Sequence, residues 1–267
     1  MRCLFTTMVV GQEKFFELSK ISLKRLSKLG YNKEDKIIIT TDKPDFFKNL
    51  DLPISIEINN IFDDNNIIDY HVTEHYDGLG YFHLNKSYFD AKSLYNNREY
   101  DMFIHFDLDV KFFITKQTII DNYKNKSNTF FYYSAHSMEK EEYYKNHFLY
   151  KLDNQLFNNL QFKKAKLNKN NFCIFPLESF FMIRTDFLNL QYNKIYDITC
   201  KVINDFKLRM NEREPNDIYC ADTFVYSFWV GEAIGNLEKI ENLDKVFKET
   251  QYDHKLSFEE NLKIIQE

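Results

Sequence analysis

The residues best suited to chemistry are two carboxylates, Asp107 and Asp109, at the end of an apolar run over residues 102–106. In a strand, residues i and i+2 point to the same face, so these carboxylates are predicted to converge. Adjacent like charges repel unless a cation lies between them, and Mn²⁺ and Mg²⁺ prefer carboxylate oxygens. The pattern predicts an Mn²⁺ or Mg²⁺ site that leaves positions open for a diphosphate. The alternative is a solvated strand end with two surface aspartates.

A strand–helix–strand unit at the start of the chain provides the first part of the frame for this pair. Residues 3–10 and 36–41 are continuous apolar runs, typical of strands that are covered on both faces. Residues 13–29 have helical periodicity with Phe16, Ser19, Leu23 and Leu26 on one face, and Gly30 is the expected stop. The order predicts parallel, neighbouring strands.

Three predicted strand ends then carry polar or small residues: Val9-Val10-Gly11, Thr41-Asp42 and Asp107–Asp109. Residues 53–59 alternate as a further, half-buried strand, and residues 81–97 are predicted as a helix leading into the strand that ends at Asp107. Ligands of open α/β sheets bind outside the carboxyl ends of the strands, so we expect the three ends to converge there. The predicted fold is α/β, with a mostly parallel central sheet flanked by helices in a single Rossmann-like domain.

The second half of the chain has weaker patterns. They predict a short helix or loop at 116–128, a strand at 129–135, a broken strand pair around Pro176, an amphipathic helix at 196–210 and a helix at 217–229.

Several single residues are candidates for the same site. Lys86 and Lys92 on the 81–97 helix are either phosphate-binding cations or ordinary solvated lysines. Asp222 lies within an apolar helical stripe, where a carboxylate is either paired or functional. His254, in the weakly patterned end of the chain, is either a third metal ligand or an exposed histidine.

Composition excludes several classes of protein. The 267 residues are 44% hydrophobic and 28% charged, enough for a real core, and the net charge of −5 argues against nucleic acid as the main partner. The four scattered cysteines have no zinc spacing, and no apolar stretch reaches the roughly 20 residues of a membrane span. A soluble, cytoplasmic protein is expected. The motifs of P-loop NTPases, Rossmann dehydrogenases, α/β-hydrolases and zincins are absent from the sequence.

Together these parts resemble the GT-A glycosyltransferases, and more narrowly the family of blood-group A/B transferases and α-1,3-galactosyltransferases. The resemblance covers roughly residues 1–232. The segments that carry it are Thr41-Asp42-Lys43-Pro44, the helix with Lys86 and Lys92, Asp107 with Asp109, and Asp222. The chain departs from that family at residues 178–182, which contain no glycine, and at Asp222-Thr223, where a second acid is missing.

The resemblance implies transfer of a sugar from a nucleotide-diphosphate sugar, such as a UDP-hexose or UDP-N-acetylhexosamine, to a glycan or lipid-linked saccharide, with retained anomeric configuration. Asp107 and Asp109 would hold the metal, and Lys86 would lie at the phosphates. Asp222 or Glu178 would act at the anomeric carbon or the acceptor hydroxyl. The base and ribose would contact Asp42 and the end of the first strand, namely Phe5, Thr6, Thr7 and Met8.

In this interpretation residues 1–267 form one domain. A nucleotide-binding half extends to about residue 110, an acceptor-binding half covers about 111–235, and 236–267 is a C-terminal tail.

Three other functions remain open from the sequence. Asp107 and Asp109 after an apolar strand also suit a haloacid-dehalogenase-like phosphohydrolase, although that motif usually lies on the first strand. Asp109 and Lys111 suit a nuclease, although the acidic surface counts against it. The last of the three is a GT-A-like domain without catalysis that binds a glycan or a partner.

Overall fold

A parallel sheet forms the first half of the molecule in the computed structural model. β1 (Cys3–Val9) has seven buried residues, which is why its sequence is apolar without alternation. β2 (Lys36–Thr41) pairs with it in parallel, and β3 (Ser55–Asn60) continues the sheet as a half-buried strand. β4 (Met102–Phe106) pairs in parallel with β1 on the other side. These four strands match the sequence-based prediction.

Three further strands complete the sheet: β5 (Phe131–Met138), β6 (Cys173–Arg184) and β7 (Ile240–Asn242). The strand order is β3-β2-β1-β4-β6-β5-β7. β6 is antiparallel to both β4 and β5, and β7 is parallel to β5. The predicted α/β class with a mostly parallel central sheet flanked by helices is confirmed. β7 lies inside the stretch that the sequence analysis assigned to a tail.

The predicted break around Pro176 is wrong, because β6 is one continuous strand. Pro176 lies opposite Ala135, where the register between β5 and β6 shifts. An irregular pairing of this kind accommodates a residue that has no backbone N–H to donate.

The helices whose two ends lie within the described residues are α1 (Glu13–Arg25), α2 (Leu79–Asn96), α3 (Lys116–Asn125) and α4 (Tyr192–Arg209). Short 3₁₀ helices occur at Leu26–Lys28, Pro44–Phe47 and Ile61–Asp63. The structure describes residues 1–67, 79–107, 114–125, 131–138, 173–185 and 191–209, with separate positions 225–226, 228–229, 240–242, 259–260 and 263. Of the helices in these ranges, none is both long and apolar enough to cross a bilayer.

α1 and α2 lie on opposite faces of the sheet. The predicted face of α1 is buried, and Phe16 and Leu23 pack in one cluster with Phe5 of β1 and Ile104 of β4. Gly30 has φ +83°, the conformation expected of a residue that stops a helix. α2 contacts the other face of β4. The chain therefore changes sides between β1 and β4, and such a switch point leaves a crevice outside the carboxyl ends of the strands.

Candidate active site

Three strand ends lie side by side at the carboxyl edge of the sheet. Val9 is paired with Thr41, and Thr6 is paired with His105. Continuing the second register by two residues places Met8 beside Asp107. The ends of β2, β1 and β4 therefore meet at the switch point, as the order of strands and helices in the sequence predicts.

Asp107, the first residue after β4, is held by Lys86 from α2. The Lys86 ammonium lies 3.3 Å from Oδ1 and 3.2 Å from Oδ2 of Asp107. Lys86 is 1% exposed, whereas the Asp107 side chain is 21% exposed. Lys86 is therefore a buried cation at the carboxyl edge of the sheet. The Asp107 carboxylate lies between Lys86 and solvent and is partly exposed.

His105 and Asp90 continue this cluster inward, and the sequence analysis did not single out either residue. The imidazole of His105 is fully buried, with Nδ1 2.9 Å from Oδ2 of Asp90 and Nε2 3.4 Å from Oδ1 of Asp107. Burial alone would lower the pKa of His105, but the two carboxylates outweigh it and raise the pKa to about 9. At neutral pH the His105 imidazole is therefore expected to carry a proton on both nitrogens.

A spacing rule would have found both residues. His105 lies two residues before Asp107 on the same face of β4, and Asp90 lies one helical turn after Lys86 on α2. Two oppositely charged pairs at matching spacing on a helix and the strand it feeds indicate contact between the two elements.

The side chains of β1 that were predicted to contact the base and ribose are all buried. Phe5 is fully buried, with its ring 4.8 Å from that of Tyr31 and 6.2 Å from that of Phe106, so its side chain serves the core. Thr6 lies on the opposite face, where Oγ1 is 3.5 Å from Nδ1 of His105.

Thr7 and Met8 are also buried, at 3% and 5% exposure. Any ligand contact from β1 therefore involves the very end of the strand.

Asp42, just after β2, is hydrogen-bonded to the segment just after β1. Its Oδ2 accepts a hydrogen bond from the backbone N–H of Gly11 at 3.1 Å, and Gly11 has φ +88°, which favours glycine. Lys43 Nζ donates to the Gly11 carbonyl at 3.2 Å. The other oxygen of Asp42, Oδ1, is buried and has no hydrogen-bond partner in the described part of the chain.

Lys92 is paired with a different carboxylate from the one beside Lys86. It contacts Asp64, which also accepts hydrogen bonds from Tyr88 Oη at 3.1 Å and from the N–H of Asn66 at 2.9 Å. Burial alone would raise the pKa of Asp64, but these donors outweigh it and hold the pKa below its ordinary value. This cluster fixes the start of the connection that follows β3 against α2.

Replacing Asp64 with Asn is expected to destabilise the protein at neutral pH and to matter less on acidification. A depressed folded-state pKa stabilises the protein above the unfolded value of about 3.9, and this contribution is lost as pH falls through the folded value. Thermal unfolding of both proteins between pH 7 and pH 2.5 measures the effect, with the exposed Asp51→Asn as the control. A difference in Tm that does not change with pH would contradict the assignment.

Four further predicted site residues come after Asp107 in the sequence. Asp109, Asp222 and His254 lie outside the described residues. Glu178 lies on β6, of which the backbone is described at that position. Because Phe180 is paired with Phe106 in antiparallel register, Glu178 lies two residues further toward the edge where β4 ends.

The described residues fit a divalent cation as far as their donor chemistry goes. Asp107 offers a hard, partly exposed carboxylate oxygen at the carboxyl edge of the sheet, the donor type that Mn²⁺ and Mg²⁺ take. Within the described ranges no group of three or more His, Cys, Asp or Glu residues could hold a metal. Of the predicted metal ligands, Asp107 is the one whose position the structure describes.

Comparison with known proteins supports the fold. No protein-family model matches the sequence, and no curated protein matches it. Core-mannan synthase A (CmsA/Ktr4) from Aspergillus fumigatus, in an Mn/GDP form, is 10% identical with a TM-score of 0.50, over 89% of this chain and 72% of that one. Mouse xyloside xylosyltransferase 1, in an apo form, is 8% identical with a TM-score of 0.48, over 91% and 85%. At such low identity the similarity concerns architecture, and the architecture of this chain is the GT-A fold.

Proposed function

We propose that this protein is a metal-dependent glycosyltransferase that moves a sugar from a nucleotide-diphosphate sugar to a hydroxyl acceptor. The observation that carries the proposal is the Asp107 carboxylate, held by buried Lys86 at the switch-point crevice of a GT-A fold. The core-mannan synthase structure, which contains Mn and GDP, supports a donor of this class.

The roles of the residues follow from their chemistry. Asp107 and Asp109 would hold Mn²⁺ or Mg²⁺, which when bound supplies positive charge to the leaving diphosphate. Lys86 adds a second, fixed positive charge below the same edge. Asp42, which lies beside Gly11 where β1 and β2 end, would contact the ribose or the base.

Asp222 or Glu178 would act at the anomeric carbon or the acceptor, and His254 would be a third metal ligand.

The finer parts of the proposal rest on the sequence resemblance. They are a UDP-hexose or UDP-N-acetylhexosamine donor, a glycan or lipid-linked saccharide acceptor, retention of configuration and a place among the blood-group A/B transferase relatives. The division into a nucleotide-binding half to about residue 110, an acceptor-binding half and a C-terminal tail belongs here as well.

Hydrolysis of a nucleotide sugar tests the proposal directly. With Mn²⁺, the protein is expected to release sugar from at least one member of a panel of UDP- and GDP-sugars, and EDTA should abolish the release. Asp109→Ala should lower the rate at least about 100-fold, because the charge on the leaving group is no longer offset. The exposed Asp51→Ala is the matched control and should keep the full rate.

The proposal fails if EDTA and Asp109→Ala both leave the rate unchanged. Phosphate release from p-nitrophenyl phosphate without any turnover of nucleotide sugars would instead indicate the phosphohydrolase.

A further inference from the structure

Two side-chain contacts join α2 to β4 and its end, and they have the same spacing along the helix and along the strand. Lys86 meets Asp107, and Asp90 meets His105 at 2.9 Å. Four residues of helix advance about 6.0 Å and two residues of strand about 6.6 Å, so the two contacts fit without distortion of either element. Tyr226 extends the row by donating a hydrogen bond to Asp90 Oδ2 at 2.6 Å.

All members of this row except Asp107 are almost completely buried, with side-chain exposures of 0% for His105, 1% for Lys86 and 4% for Asp90. Burying such groups is unfavourable, and apolar replacements of similar size often stabilise a protein as well or better. Stability alone is therefore a weak reason for this row of buried polar side chains. The row ends at the edge of the sheet, on the one carboxylate of the cluster that remains partly exposed.

A second charged cluster elsewhere in the core offers a comparison. At the opposite edge of the sheet, Asp35 contacts Lys116 and also accepts hydrogen bonds from the backbone N–H groups of Cys3 and Asn32. That carboxylate satisfies the backbone. The contacts of His105 that the structure gives run from side chain to side chain, toward Asp107 on one side and Asp90 on the other.

We propose that His105 and Asp90 are positioning residues that fix the orientation of the Asp107 carboxylate at the mouth of the crevice. Nε2 of His105 lies 3.4 Å from Oδ1 of Asp107, a close contact without hydrogen-bond alignment. Nδ1 lies 2.9 Å from Asp90, which accepts a hydrogen bond from Tyr226. The inference rests on the proposed function, because that function supplies the metal ion toward which the Asp107 carboxylate would be oriented. It adds three residues to the site and links the segment around Tyr226 to the metal-binding carboxylate.

Two substitutions of His105 separate the two contacts. In His105→Asn the amide nitrogen lies near the position of Nδ1, so the contact with Asp90 is retained and the contact with Asp107 is lost. In His105→Gln the amide nitrogen lies near the position of Nε2, with the opposite result. The measurements are Mn²⁺ affinity by electron paramagnetic resonance of the free ion at pH 7, and Tm of the metal-free protein.

His105→Asn is expected to weaken Mn²⁺ binding about 10-fold or more, as loss of an outer contact to a metal ligand does, while His105→Gln stays within about threefold of wild type. Tyr226→Phe should fall between them. The control is Asp35→Asn, which should lower Tm and leave Mn²⁺ affinity unchanged.

Equal Mn²⁺ affinities for the two His105 variants would overturn the positioning role. So would losses of Mn²⁺ affinity that simply parallel the decreases in Tm. If wild-type protein itself does not bind Mn²⁺, the proposed function fails, which is a different result.

Discussion

Replacing Asp107 with Asn is expected to lower turnover of a nucleotide sugar at least about 100-fold and the free energy of unfolding by about 3 kcal/mol. The substitution keeps the shape of the side chain but removes its charge. It leaves Lys86, 1% exposed, beside a neutral amide and removes one of the two carboxylates that face His105. The loss of stability is at the lower end of the range for a broken buried pair, because Asp107 is partly exposed and His105 can release its proton.

The two effects can be separated by a second substitution. Lys86→Met in the Asp107→Asn background removes the buried ammonium that has lost the charge of Asp107, so urea unfolding should show recovery of part of the lost stability. Turnover should stay low, because neither charged group at the edge has been restored. Wild-type turnover in Asp107→Asn would show that this carboxylate takes no part in the reaction. A double variant no more stable than the single one would show that the ion pair is not the source of the instability.

The elements that the sequence predicted well are those whose signal is local. The apolar runs of β1 and β2 and the 3.6-residue period of α1 can be read within windows of ten to fifteen residues, and all three are where they were expected. The convergence of Thr41-Asp42 with Asp107 followed from one general rule about parallel sheets, applied to two strand ends.

What the sequence did not show depends on contacts between distant segments. β6 is inserted between β4 and β5 in the sheet, although β5 comes first in the chain, and no local pattern encodes such an order. β7 has three residues, too few for a periodic signal. His105 and Asp90 do not stand out singly in the sequence, and only their matching spacing from Asp107 and Lys86 indicates that they meet.

Replacing Asp35 with Ala is expected to produce the largest loss of stability, about 4 kcal/mol, with little effect on the site. Asp35 is fully buried at the edge opposite the crevice, just before β2. It accepts hydrogen bonds from the N–H groups of Cys3 and Asn32, both at 2.9 Å, and from Lys116 Nζ at 2.8 Å. It thereby ties β1, the turn before β2 and the start of α3 together. Alanine leaves two backbone donors and a largely buried ammonium without this acceptor.

The expected decrease in Tm is roughly 10 °C, and urea unfolding should give the free energy directly. Adding Lys116→Met should recover the part that comes from the uncompensated charge, but not the part that comes from the two N–H groups. At a temperature where the variant is folded, its KM for the nucleotide sugar should stay within about twofold of wild type. A decrease in stability below about 1 kcal/mol would mean that water or a neighbouring group replaces the carboxylate, and an altered KM would mean that the two edges of the sheet are coupled.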